Sequence, residues 1–168
     1  MKRKELQYQT VKSILRSTLE RLMEIDEFKP FRLVGGTSLS LRYGHRMSDD
    51  IDLFTDAEYG SLDFHLLQDI LRREFPYCQG DCGEIVGFGT SYLVGNSTND
   101  NVKVDLFYTD PFIRPMEQRD KIRMASVDDI VAMKMDVISR GGRKKDFWDL
   151  HMLRNHYSEE QILSLYEE

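Results

Sequence analysis

Two short segments that alternate polar and apolar residues constrain the fold of this chain most. The segments Asp50-Ile51-Asp52-Leu53-Phe54 and Lys103-Val104-Asp105-Leu106-Phe107 each place aspartates between apolar neighbours. Because successive side chains of a strand point to opposite faces, this pattern predicts two half-buried strands. We therefore expect a sheet that packs one face on a core and presents Asp50, Asp52 and, if the strands pair, Asp105 on the other.

Helical and strand patterns alternate along the rest of the chain. Apolar periodicity and capping residues predict helices over 4–25, 37–43, 61–75 (capped by Ser61), 127–139, 145–155 and after Ser158. Further strands are predicted over 31–34, 84–94 and 121–124, with 76–83 as a loop. Ser126 and Asp129 resemble a capping box. This order predicts an α+β fold, a small mixed sheet flanked by helices with a helical C-terminal part.

Composition favours one globular domain. The 168 residues are 40% hydrophobic and 31% charged, which is typical of a folded protein. We expect a single domain over 1–168, with an α/β core over about 1–110 and a mainly helical part over about 111–168. The charged start Met1–Leu6 and the lack of an apolar run of ~20 residues predict a cytoplasmic protein without a membrane span.

Charge and cysteine content limit the classes of function. The net charge of -6 argues against a broad nucleic-acid-binding surface. Residues 112–145, however, contain nine Lys or Arg and five Asp or Glu, so a local basic face can still meet phosphates. Cys78 and Cys82 lack neighbouring partner ligands, and we expect neither a zinc site nor a disulfide from them.

A glycine pair lies between an apolar strand and a helix. Gly35-Gly36-Thr37-Ser38 follows the strand over 31–34 and opens the next helix. Glycines let backbone approach a ligand closely, and a helix N-terminus offers unpaired amides to an anion. An ordinary tight turn explains the same residues, so this motif alone decides nothing.

The acids predict a metal site when they are taken together. Asp50 and Asp52 project from one strand face and repel each other unless a cation lies between them. Mg²⁺ suits such a site, because it prefers oxygen ligands and keeps positions open for phosphates. Taken singly, the first pair could be a solvated strand face and Asp105 an edge-strand charge. If the two strands pair, Asp105 completes a set of three acids.

These motifs resemble a known family. The run from Gly35-Gly36-Thr37 through 44–54 is similar to the signature of the AbiEii/AbiGii toxins, within the DNA polymerase β-type nucleotidyltransferase superfamily. The resemblance continues at Asp105, Lys134 and the block 143–150, and spans roughly 33–153. It implies a nucleotidyltransferase core for the predicted sheet.

The resemblance also implies a role for each matching residue. Asp50, Asp52 and Asp105 would bind the metal, and Asp105 could help to deprotonate the acceptor hydroxyl. Asp146 matches the acid of the last motif and joins Lys134 among the implied catalytic residues. The implied nucleotide-binding residues are Gly35, Gly36, Thr37, Ser38, Arg46 and Lys134.

The implied activity is metal-dependent transfer of an NMP from an NTP, with pyrophosphate released. Mg²⁺ is the expected ion and Mn²⁺ the alternative. Family members are bacterial toxins of abortive-infection or toxin–antitoxin systems, so tRNA or another RNA is the expected acceptor and an antitoxin the expected protein partner. A protein hydroxyl, a small molecule such as an antibiotic, and a regulatory protein that binds nucleotide without turnover remain alternatives.

Ordinary structural explanations remain open for the residues outside the aspartates and the glycine pair. Lys134 could simply point outward from an apolar helix, and Asp146 could complement a helix dipole. The run Arg143-Lys144-Lys145 is interpreted as a solvated helix start. Arg46 could brace a carboxylate or a phosphate, and His45 is interpreted as structural. Trp148 is expected in the core, and Asp49 has no assigned role.

Overall fold

The computed structural model describes residues 4–168, which form a mixed sheet with helices on both sides. The strands are β1 Arg32–Val34, β2 Asp50–Thr55, β3 Tyr77–Gln79, β4 Gly89–Ser97, β5 Asp100–Tyr108, β6 Glu117–Arg119 and β7 Ile122–Met124. The α-helices are α1 Ser13–Glu24, α2 Gly35–Tyr43, α3 Phe64–Glu74, α4 Val127–Ser139, α5 Lys144–Leu153 and α6 Glu159–Glu167. The predicted α+β fold with a mixed sheet is confirmed.

The sheet has seven strands in the order β3-β4-β5-β2-β1-β7-β6. β2 runs parallel to β5, and β1 runs parallel to β7. The remaining neighbours are antiparallel. The two acid-bearing strands β2 and β5 are therefore adjacent in the middle of the sheet, although α3, β3 and β4 separate them in sequence.

Two apolar clusters hold the helices on the sheet. Ile51, Leu53, Val104 and Leu106 are fully buried in the first cluster, which α1 and α3 complete. The second cluster joins α2, α4, α5 and α6 through residues such as Leu39, Ile130, Val131, Leu153 and Ile162. Because the acids alternate with the first cluster's strand residues, they face the side on which α4 and α5 lie.

The N-terminal helix is shorter than predicted. α1 begins at Ser13, after a short 3-10 turn over Tyr8–Thr10. The backbone N–H of Gln7 donates to the carbonyl of Leu41 at 2.6 Å, and the carbonyl of Thr10 accepts from Ser48 at 2.9 Å. These bonds to other elements replace the intrahelical bonds that the apolar periodicity favoured. The prediction of a cytoplasmic protein relied partly on the charged segment Met1–Leu6. Residues 1–3 of that segment lie outside the described residues.

Three local predictions were wrong in detail. Asp63, not Ser61, caps α3, because its carboxylate accepts from the Leu66 amide at 3.1 Å. The predicted loop over 76–83 contains β3, which pairs with β4. The Asp129 carboxylate accepts from the amides of Ile113 and Arg114 at 2.6 and 3.1 Å, so Asp129 does not complete the expected capping box. The last two differences come from partners that are distant in sequence.

Several boundaries were predicted correctly. α4 spans Val127–Ser139 with Ser126 as its N-cap, and Ser158 caps α6. α2 ends at Gly44, whose φ of +66° is the left-handed conformation that glycine adopts at helix ends. Among residues 4–168, no helix combines the length and the apolar character that crossing a bilayer requires.

Candidate active site

The pairing of β2 with β5 places three aspartates side by side. Asp52 is directly opposite Asp105, and Asp50 is opposite Lys103. Paired residues of adjacent strands lie about 5 Å apart and point to the same face. Asp50, Asp52 and Asp105, which we call the aspartate triad, therefore converge on one patch of the sheet.

The triad holds negative charge that its neighbours only partly balance. Burial raises the pKa of Asp52 to about 7, and the nearby carboxylates of Asp105 and Asp50 contribute to the same increase. The Oδ1 atom of Asp105 is buried and has no hydrogen-bond partner among the described residues. A buried, unpartnered carboxylate oxygen is costly, so this position favours a bound cation or donor.

Two lysines lie at the margins of the triad. Lys103 Nζ is 3.4 Å from Asp105 Oδ2, and Lys145 Nζ is 3.4 Å from Asp50 Oδ2. Both side chains are partly exposed, at 46% and 38%, and each meets only an outer carboxylate. Neither makes a short ion pair with Asp52.

A second group of charges lies beside the triad, and its charged groups are closely paired. Asp149 on α5 is completely buried, and its carboxylate accepts from Arg46 Nε at 2.7 Å and from Arg46 Nη2 at 2.8 Å. His45 Nε2 lies 2.7 Å from Asp149 Oδ1. We call the set of Asp149, Asp146, Lys134, Arg46 and His45 the Asp149 network. It ties the loop after α2 to α5.

Lys134 links this network to α4. Its Nζ donates to Asp146 Oδ1 and to Asp149 Oδ2, each at 3.0 Å, and the residue is only 6% exposed. The interpretation of Lys134 as an outward-pointing surface lysine was wrong, because Asp146 and Asp149 one turn apart on α5 draw it inward. An ammonium has three donor hydrogens, so one remains for another acceptor.

The network lowers the pKa values of its acids. Burial by itself would raise the pKa of Asp149, but the hydrogen bonds from Arg46 and His45 and the charge of Lys134 hold it below the ordinary range. Burial opposes the same change in Asp146, whose pKa is lowered by the Arg143 amide and by Lys134. Both carboxylates are therefore stabilised as anions.

Each glycine of the Gly35-Gly36 pair makes room for one of the two charged groups. Gly35 has a φ of +71°, and a Cβ there would lie 2.7 Å from Asp52 Oδ2. A Cβ on Gly36 would lie 2.0 Å from Arg46 Nη2. The pair thus permits the close approach of Asp52 and of Arg46 to the start of α2, in addition to leaving that helix N-terminus accessible.

Thr37 and Ser38 differ in their placement. Thr37 Oγ1 lies 2.6 Å from Ser48 Oγ and also donates to the Asp50 carbonyl, which fixes the start of β2. Ser38 is fully buried and is absent from the lining of the cleft. The expectation that Ser38 contacts phosphate was therefore wrong, because the turn of α2 directs it into the interior.

The triad and three members of the network line one cleft of about 220 Å³. The start of α2 and the triad form one side, and apolar residues of α4, including Ile130, Met133 and Val137, form another. Lys134, Asp146, Arg46 and Lys145 also reach it. Within the part of the chain that is described, no group of three or more His, Cys, Asp or Glu side chains is arranged, as it stands, to hold a metal ion.

The later motif residues answer the alternatives left open by the sequence. Arg46 braces a carboxylate, and Asp146 both caps α5, through the Arg143 amide at 2.7 Å, and pairs with Lys134. The placement of Trp148 in the core was wrong, since it is 58% exposed. The solvated interpretation of the basic run holds for Arg143, whose side chain is 72% exposed, but not for Lys145.

Sequence reasoning missed three residues of the site. Asp149, the centre of the network, follows Asp146 by three positions, and this spacing on one helix face was an available signal. Lys103 precedes Asp105 by two residues on the same strand, which also places them on one face. No local signal pointed to Lys145, because its partner Asp50 is 95 residues away.

The sequence of this chain is similar to that of a curated protein. An uncharacterized protein of Aquifex aeolicus (strain VF5) is 33% identical over 148 residues, which cover 84% of this chain and 66% of that protein. This chain thus spans slightly less than two thirds of that relative.

Solved structures share the fold. JHP933 from Helicobacter pylori has a TM-score of 0.62 at 21% identity, over 95% of this chain and 73% of that chain. MenT4, a nucleotidyltransferase toxin from Mycobacterium tuberculosis H37Rv, has a TM-score of 0.61 at 17% identity, over 90% of this chain and 62% of that chain.

Residues 17–167 match the family described as "Nucleotidyl transferase AbiEii toxin, Type IV TA system". With nine-tenths of its residues inside that match, the chain belongs to the AbiEii nucleotidyltransferase toxin family.

Proposed function

We propose that this protein transfers an NMP from an NTP to an acceptor hydroxyl, with release of pyrophosphate. The observation that carries the proposal is the aspartate triad, which lies on paired central strands and faces a cleft at the start of α2. Phosphoryl and nucleotidyl transfer depend mainly on positioning and on stabilising charge, and this cleft offers groups for both.

The triad would hold a divalent cation, Mg²⁺ or alternatively Mn²⁺. Three features support this fit: hard carboxylate oxygens, the unpartnered Oδ1 of Asp105, and the raised pKa of Asp52. Because Mg²⁺ commonly takes few protein carboxylates and completes its shell with water and substrate phosphates, an open triad suits it. When bound, the ion would supply positive charge for the phosphates and for the triad itself.

The chain's own residues would hold the triphosphate. The unpaired amides at the start of α2, at Gly35 and Gly36, suit an anion because of the helix dipole. Lys134 keeps one donor hydrogen free and lines the cleft, so it would contact a phosphate while Asp146 and Asp149 orient it. Arg46 donates to Asp149 through Nε and Nη2 and to the Met47 carbonyl through Nη1, and it would position the site through these contacts. Asp105 would accept the proton of the acceptor hydroxyl.

For the acceptor we propose RNA, with tRNA as the first candidate. Membership of a toxin family supports this choice, and it also favours a cognate antitoxin as partner. The basic residues at the start of α5 border the cleft and support a polyanionic acceptor. A cytoplasmic location goes with this proposal, because NTP and tRNA are both found there.

The test is a transfer assay with each NTP labelled at its α-phosphate. Total tRNA and a panel of small acceptors with free hydroxyls, including antibiotics, are compared, and released pyrophosphate is measured in parallel. Label in tRNA that is lost in Asp50→Ala and Asp52→Ala supports the proposal. Label only in a small acceptor would replace RNA by that class, and NTP binding without pyrophosphate release would indicate a regulatory protein instead.

A further inference from the structure

A second cavity adjoins the cleft on the outer side of α5. It encloses about 650 Å³ between the loop after α2 and the first turn of α5. It shares the lining residues Arg46, Arg143 and Lys145 with the cleft, so the two spaces are adjacent. We call it the Trp148 groove, and the residues that matter for its chemistry are Met47, Asp49, Arg143, Lys144, Lys145 and Trp148.

The groove exposes an aromatic ring that the fold does not use. Trp148 is 58% exposed and Met47 is 57% exposed, although both belong to types that usually lose water on folding. Lys144 Nζ lies 5.4 Å from the centre of the Trp148 ring, within the range of a cation–π contact. The Asp149 network anchors α5 to α4 and to the loop after α2, so the ring projects from a fixed helix.

The charges around this ring favour an anion. Arg143, Lys144 and Lys145 contribute three cations, against Asp49 as the one acid in the lining of the groove. Arg143 also lies 3.8 Å from Asp146 and Lys145 lies 3.4 Å from Asp50, so Lys144 is the cation of the three without a carboxylate contact among the described residues. Arg46 adds little, because Asp149 neutralises it. In a chain with a net charge of -6, such a local excess of positive charge next to an exposed aromatic ring is the combination that single-stranded nucleic acids recognise.

We propose that the Trp148 groove binds the acceptor RNA as a single strand, with an unpaired base stacked on Trp148. The phosphates that flank this base would contact Arg143 and Lys144. Lys145 lies between the groove and the aspartate triad, because its Nζ is 3.4 Å from Asp50 Oδ2. The inference deepens the proposed function by assigning an acceptor subsite. An unpaired base is required because stacking needs a free base face, which a duplex does not offer.

Trp148 is the only tryptophan in the sequence, so its fluorescence reports on this site directly. We would titrate the complete chain with a short single-stranded RNA, a duplex RNA and free NTPs, each in the presence of Mg²⁺. The expected result is saturable quenching by the single strand at concentrations at which duplex and NTP have little effect. Stacking of a nucleobase on the indole is the physical cause.

Variants then separate stacking from simple charge. With labelled single-stranded RNA, anisotropy should show that Trp148→Ala raises Kd by roughly 5- to 150-fold, the size expected for one stacked base. Trp148→Phe should retain most of the affinity. Phe147→Ala is the matched control, because Phe147 is 50% exposed on the same helix but is absent from the groove lining.

The outcomes distinguish this inference from the proposed function. Quenching by free NTP in preference to RNA would overturn it and make the groove the base site of the NTP. Equal RNA affinity in Trp148→Ala and the parent chain would also overturn it, even if nucleotide transfer stands. If RNA quenches the tryptophan while no acceptor is labelled, the groove is supported and the proposed transfer reaction fails.

Discussion

The aspartate triad and the Asp149 network are adjacent, but their carboxylates are balanced by positive charge to very different degrees. In the network, two buried carboxylates meet an ammonium, a guanidinium and an imidazole at 2.7–3.0 Å, and the pKa of Asp149 is lowered. In the triad, the lysine contacts are 3.4 Å, one carboxylate oxygen is unpartnered, and the pKa of Asp52 is raised.

This difference indicates that the charges of the network stabilise the fold, whereas those of the triad are suited to binding a ligand. A closely paired buried network fixes the positions of the elements that carry it, because removing a charged member leaves another charge uncompensated. A cluster of carboxylates with few partners costs stability, and a bound cation would remove that cost. We therefore expect variants of the network to act mainly on folding, and variants of the triad to act mainly on the reaction.

The largest expected effect is loss of stability in Asp149→Asn. The change leaves Lys134 and Arg46 buried with one anion fewer, which should lower the free energy of unfolding by about 3–5 kcal/mol. For a chain of this size, that corresponds to a fall in Tm of roughly 6–20 °C, measured by thermal denaturation.

The matched control for this variant is Asp128→Asn. Asp128 accepts from Arg114 at 3.1 Å and from Tyr157 at 2.7 Å, but its side chain is 34% exposed. Its loss should cost no more than about 1 kcal/mol. If the two variants destabilise equally, the proposed contrast between buried network and surface pair is wrong.

Next in size is the effect of Asp52→Asn on transfer. Removing a ligand and a charge that act on the reacting phosphate should lower the rate by about 100- to 1,000-fold. In buffer without divalent ions, Tm should not fall, because the change removes repulsion from Asp50 and Asp105. Asp69→Asn, an exposed acid on α3, serves as the control for both measurements. A large drop in Tm with Asp52→Asn would mean that the triad is a structural cluster.

The glycine pair allows a finer test of the same contrast. Gly36→Ala should displace the Arg46 guanidinium from Asp149 and destabilise the fold by about 1–3 kcal/mol. Gly35→Ala carries backbone strain of about 1–2 kcal/mol and pushes the Asp52 carboxylate, so its transfer rate should fall as well.

Gly60→Ala is the control for Gly35→Ala. Gly60 has a φ of +80°, but a Cβ there would meet no atom within 4 Å. It should therefore show the backbone strain without a change in transfer, as determined by urea denaturation and by the labelling assay. A rate loss in Gly60→Ala comparable with that in Gly35→Ala would argue against a local effect on Asp52.

The smallest expected effect concerns acid stability. The pKa of Asp149 is lowered on folding from an unfolded value of about 3.9, so its stabilisation is present above about pH 4 and is lost as the pH falls. Urea denaturation below about pH 5 should therefore show a steeper loss of stability in the parent chain than in Asp149→Asn. Parallel curves would indicate that Asp149 is not the acid that carries this dependence.

Local patterns predicted much of the fold. The alternation in 50–54 and in the Val102–Tyr108 region was enough to predict the acid-bearing strands, and Ser126, Ser158 and Gly44 marked helix ends correctly. Errors arose where a distant partner replaced a local bond. Gln7 pairs with Leu41 instead of continuing a helix, and Asp129 turns to the loop over Ile113 and Arg114.

The sequence by itself determined which faces the triad acids occupy, since strand periodicity is a property of the backbone. Only the tertiary structure decided that β2 and β5 are neighbours, that Lys134 turns inward, and that Asp149 joins α4, α5 and the loop after α2. Those outcomes depend on the free energy of burying charges, which is favourable only when partners from distant segments meet. The exposure of Trp148 was also decided by the tertiary structure. The buried acids Asp146 and Asp149 fix the orientation of α5, and in that orientation Trp148 faces solvent.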